Sequence, residues 1–91
     1  MIIDPRIDRC IIWFLDKPKF QYINGAPGEC VNRIVKYATR YEVDEETKEE
    51  KRIQWCPIKL DTTGCAGKTY ADHFRENKIE FEVVKFVTDI L

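Results

Sequence analysis

Long apolar runs are missing from this 91-residue chain: the longest, residues 10–15, is the length of a strand. A helix that crosses a bilayer takes ~20 consecutive apolar residues, so no membrane span is expected. Net charge is nearly absent as well, with 15 basic against 16 acidic side chains leaving −1. No global field draws a polyanion or an anionic membrane, and nucleic acid is not the expected partner; binding it would take a local patch. Histidine occurs once, as His73. A lone histidine without a matching acid and nucleophile suggests no catalytic set, so none is assigned. Close cysteine pairs are lacking too: among Cys10, Cys30, Cys56 and Cys65 the nearest two, Cys56 and Cys65, have eight residues between them. Zinc sites use tighter spacings, and neither a metal nor a cofactor is expected. At the start, Met1-Ile2-Ile3 runs straight into Asp4, Pro5 and Arg6. That is not a secretory leader, so the expectation is a cytoplasmic protein with four reduced thiols. There are no repeats and no low-complexity segments.

What is present is ordinary globular material, 44% hydrophobic and 34% charged, read as one domain over residues 1–91. Residues 9–15 are apolar at consecutive positions and rich in β-branched and aromatic side chains, which predicts an interior strand covered on both faces. Pro18 stops it, and residues 20–24 alternate as a short partner strand. A helix is predicted over residues 27–38: Pro27 suits its first position, Glu29 its first turn, and Val31, Ile34, Val35 and Ala38 its buried face. Glu29 and Arg33 are spaced to pair across one turn. Apolar alternation then brackets an acidic tip at residues 44–50, predicting a hairpin of strands 39–44 and 51–59. A second helix over 69–77 and a closing strand over 79–87 complete the reading. The expected fold is α+β, a four- to five-stranded largely antiparallel sheet with two helices on one face.

Three sets of residues are candidates for function. Gly64, Gly67, Lys68 and Thr69 end like a Walker A loop, between a strand and a helix, where backbone N–H groups, a lysine and a hydroxyl hold phosphates. The first glycine of that motif is replaced by Thr62, and Thr69-x-x-Asp72 is a capping box that starts the helix after Lys68. A structural turn is therefore the expected role, with phosphate binding as the alternative. Arg33, Lys36 and Arg40, with Tyr37 between them, form a basic stripe along the first helix that could grip the phosphates of a nucleic acid, a second alternative, or simply face solvent. Val84, Phe86, Val87, Ile90 and Leu91 make a nearly continuous apolar surface which, with Met1 to Ile3, is the expected contact with a protein partner or a second copy. Trp55-Cys56-Pro57 resembles the start of a thioredoxin-like redox motif, but the second cysteine is missing, since position 59 is Lys59. Cys10 and Cys56 are expected buried in strands, and Cys65 exposed in its loop. The functional expectation is a small non-catalytic protein-binding protein, a regulator or inhibitor of the kind common among phage and viral accessory proteins.

Overall fold

A computed structural model describes residues 1–14 and 17–85. Strands β1 (Ile2–Pro5), β2 (Arg9–Trp13) and β3 (Gln21–Asn24) form an antiparallel meander. Helix α1 (Pro27–Ala38) follows, then strands β4 (Thr39–Val43) and β5 (Glu50–Gln54), strand β6 (Lys59–Asp61), helix α2 (Ala66–Glu76) and strand β7 (Glu82–Val84). Among the described residues the main sheet has five strands in the order β3-β2-β1-β6-β7, while β4 and β5 pair as a separate two-stranded arm. The fold is α+β, as the sequence predicts. Two pairings are parallel, however, β1 with β6 and β6 with β7. The first joins the two ends of a long excursion, and the second is the crossover through α2.

The apolar start of the chain is not a free end. It is β1, the middle strand of the sheet, with Met1 and Ile3 buried. Three apolar residues ahead of Asp4-Pro5 carry too short a pattern to announce a strand, and the β6 partner lies more than fifty residues away. The expected hairpin strand 51–59 is likewise two strands, β5 and β6, parted by Trp55–Ile58. Pro57 has no N–H for a ladder, which fits the break. The closing strand shortens to β7. Ahead of it Ile79 is buried and Phe81 packs on the core, while Val83 within it is 47% exposed.

One continuous core explains the layering. Ile3, Cys10, Ile12 and Leu60 point from the sheet toward Cys30, Val31, Ile34 and Ala38 of α1 and toward Tyr70, Ala71 and Phe74 of α2. Burying each large side chain stabilises the fold by roughly 1.5–3 kcal/mol relative to leaving it in water. Helix α1 has the predicted bounds; Ala26 offers its first turn no side-chain cap, and Pro27 needs none. It ends without a loop, because Thr39 is both its cap and the first residue of β4, with Oγ1 donating to the Val35 carbonyl at 2.6 Å. The Trp55 N–H donates to the Ala38 carbonyl at 3.0 Å and fastens the other side of the arm to the same point. Residues 40–51 are exposed throughout.

Candidate binding surfaces

Strand alternation puts two kinds of residue on β2. Cys10 and Ile12 face the helices, while Arg9, Ile11 and Trp13 face the other side, where among the described residues no helix lies. The expectation that this strand is covered on both faces is thus corrected: among the described residues β2 is interior in the sheet order yet covered on one side. The uncovered side carries an aromatic cluster. Phe20 lies 4.7 Å from Trp13 and 5.2 Å from Tyr22, centroid to centroid, and the Arg9 guanidinium sits 5.7 Å from the Tyr22 ring centre. Trp13 is 45% exposed, Phe20 41% and Tyr22 53%. Register fixes this grouping, since Ile11 stands opposite Tyr22 and Trp13 opposite Ile2.

A second cluster lies on the helix side. Phe14, next in sequence to Trp13, is 5.0 Å from Tyr37 of α1, and Tyr37 is 5.4 Å from Trp55. The Lys17 ammonium caps the Phe14 ring at 4.8 Å. The basic stripe is present only in part as predicted: Arg33, Lys36 and Tyr37 belong to α1, whereas Arg40 belongs to β4 and holds the Glu42 carboxylate at 2.9 Å. The period changes at Thr39, so Arg40 leaves the helix face. Glu29 does not pair with Arg33. Its carboxylate turns back to Gly25, whose φ of 141° and lack of Cβ make the room.

The glycine loop has a packing role. Helix α2 starts at Ala66, so Lys68 and Thr69 lie in its first turn, both exposed, and the capping-box start after Lys68 is corrected. Gly67 is buried, and a Cβ there would meet the Thr62 Cα at 2.7 Å and the Asp61 carbonyl at 3.0 Å. The helix approaches the end of β6 that closely only because position 67 lacks a side chain. Gly64 faces open space. A cleft of about 590 Å³ opens between this loop and the β1–β2 turn, lined by Asp4, Arg6, Asp8, Asp61, Thr63 and Cys65 among others. Crevices beyond the carboxyl ends of parallel strands often take ligands. This one is walled by carboxylates. Arg6 is held by Asp4 at 3.1 Å, and Asp61 Oδ1 accepts the Thr63 N–H and hydroxyl at 2.9 and 2.6 Å. Such a wall repels a phosphate.

Of the apolar C-terminal set, Val84 is half-buried in β7, at one edge of the sheet; Phe86, Val87, Ile90 and Leu91 lie outside the described residues. Cys10 of β2 and Cys30 of α1 are buried, and Cys30 Sγ donates to the Ile23 and Gly25 carbonyls at 3.5 Å. Burial, and then the neighbouring Cys30, push the Cys10 thiol up from 9.0 to about 12. Burial and hydrogen bonding to Cys30 raise the Tyr70 phenol in the same way. Cys56 is half-buried in the β5–β6 connection rather than in a strand, and Cys65 is exposed. His73 Nδ1 lies 3.7 Å from Glu76 on the surface of α2. Among the described residues no group of three or more His, Cys, Asp or Glu side chains is placed to hold a metal. No described helix is long and apolar enough to cross a membrane.

No family model, no curated protein and no solved structure matches the chain.

The two aromatic clusters have little local signature in the sequence. Their signal was the pair Trp13-Phe14 inside a run that looked uniformly apolar, together with Phe20 and Tyr22 at spacing two.

Proposed function

We propose that the chain is a small non-catalytic protein-binding protein, a cytoplasmic regulator or inhibitor, and that it engages its partner with the uncovered face of β2 and β3. The observation that carries this reading is the Trp13, Phe20 and Tyr22 cluster, stacked together and left about half exposed, with Arg9 over one ring. Leaving three rings in contact with water forgoes stabilisation that burial would give. Trp, Tyr and Arg are also the side chains that dominate protein interfaces, where each aromatic buries about 150–250 Å². Ile2 and Ile11, half-buried on the same face, extend the apolar floor. Among the described residues β3 is an edge strand, and that edge offers backbone groups for strand pairing.

Affinity capture from the native cell, comparing the wild-type chain with a Trp13→Ser/Tyr22→Ser variant, tests the reading. The expected result is a retained protein, or a second copy of the chain, that the variant loses while its circular dichroism stays native. An identical retained set for both chains removes the uncovered face from the argument.

A further inference from the structure

The helix side of the molecule carries a surface of different chemistry. Tyr37, 39% exposed, stands between Phe14 and Trp55, the latter 48% exposed, so that rings from β2's end, α1 and the β5–β6 connection form one row. Cations border it. Lys17 caps Phe14, Lys36 precedes Tyr37 in the helix, and Arg33 lies one turn before it. All three are exposed. Arg40 follows at the start of β4, already matched by Glu42. Among the described residues, Glu29 sits in the opposite end turn of α1 with its carboxylate against Gly25, and Glu80 and Glu82 line a cleft that Trp55 shares. The net charge of −1 hides this segregation, because five carboxylates are gathered at the far tip of the arm, in residues 44–50.

We propose that this row is a binding site for single-stranded nucleic acid, with bases stacked on Tyr37 and Trp55 and phosphates held by Lys17, Arg33 and Lys36. Half-exposed rings beside exposed cations are the elements of such sites: stacking accepts any base, and the cations track the backbone. A duplex hides the faces of its bases, so the rings select an unpaired strand. The acidic tip limits the site, since a strand continuing along β4 past Arg40 meets like charge. The inference goes beyond the protein interface proposed above and uses none of the residues of that interface.

Fluorescence anisotropy of a labelled oligothymidylate, titrated with the full chain, tests it. Saturable binding is expected at low salt, with log affinity falling against log salt at a slope of about −2 for three phosphate contacts. Trp55→Ala should weaken binding about tenfold while Trp55→Phe largely retains it. Arg33→Ala/Lys36→Ala should flatten the slope by about 1.4. Trp13→Ala, on the opposite face, should bind as the wild type does. No binding at low salt overturns the proposal. So does equal affinity for a duplex, an unaffected Trp55→Ala variant, or a loss that appears with Trp13→Ala.

Discussion

The side-chain amide of Gln54 and the backbone of Glu80 exchange two hydrogen bonds, Nε2 to the Glu80 carbonyl at 2.8 Å and the Glu80 N–H to Oε1 at 2.9 Å. A side chain here does what a neighbouring strand would otherwise do. It ties the last residue of β5 to the segment that leads into β7, twenty-six residues later. Arg52 adds to the tie, donating to the Asn77 and Lys78 carbonyls at 2.7 and 3.2 Å where α2 ends. Gln54→Ala should therefore lower stability by about 0.5–1.5 kcal/mol, the net worth of hydrogen bonds whose freed partners water can reach. Urea unfolding of the variant measures this, and Gln54→Glu, which keeps the acceptor and loses the donor, should fall between.

Gly67 separates a packing glycine from a phosphate-holding one. Gly67→Ala forces a Cβ to within 2.7 Å of the Thr62 backbone, which must move. A loss of about 1–3 kcal/mol is expected, as for other overpacked sites. Gly64→Ala and Lys68→Ala should each stay within about 0.5 kcal/mol, as exposed substitutions do. Thermal melts of the three variants decide it. A Gly67→Ala variant as stable as wild type would mean that α2 does not sit against β6 this closely.

Alkaline stability should report the buried thiol. In the unfolded chain Cys10 ionises near 9.0, and in the fold it stays protonated to about 12. The folded state then holds the extra proton between those values, so its stability is complete below pH 9 and falls as pH rises toward 12. The slope is about 1.4 kcal/mol per pH unit for one group. Tyr70, shifted upward as well, steepens it at the upper end. Cys10→Ala should flatten the fall between pH 9 and 12; an unchanged slope would contradict the burial.

Thiol modification gives an independent measure of the layering. Cys65 should react first, Cys56 next, and Cys10 and Cys30 only once the chain is unfolded. Mass spectrometry at successive times, with and without denaturant, counts them.

Elements with a strong local signal were legible in the sequence. Helix α1 has the predicted bounds because proline, the first-turn acid and the apolar spacing all agree. The arm, the fold class and the burial of Cys10 were legible for similar local reasons. The start of α2 was not, because Thr69-x-x-Asp72 offers a cap that the chain does not use, while Gly67 lets the helix begin three residues sooner. Strand β1 was missed because a parallel pair between residues nearly sixty apart leaves no local trace. The aromatic clusters were missed for another reason. A run of consecutive apolar residues records that both faces of a strand are hydrophobic, not that both are covered, so Trp13 was read as core.

The loopless passage from α1 into β4 at Thr39 has a mechanical consequence. A helix and a strand joined with no connecting residue, and pinned a second time where Trp55 meets Ala38, have no hinge between them. The arm is a lever whose short end is the helix. A partner that grips the acidic tip and bends it would turn α1 against the sheet and shift Tyr37 relative to Phe14, so tension at one end of the molecule would be felt in the spacing of the rings at the other.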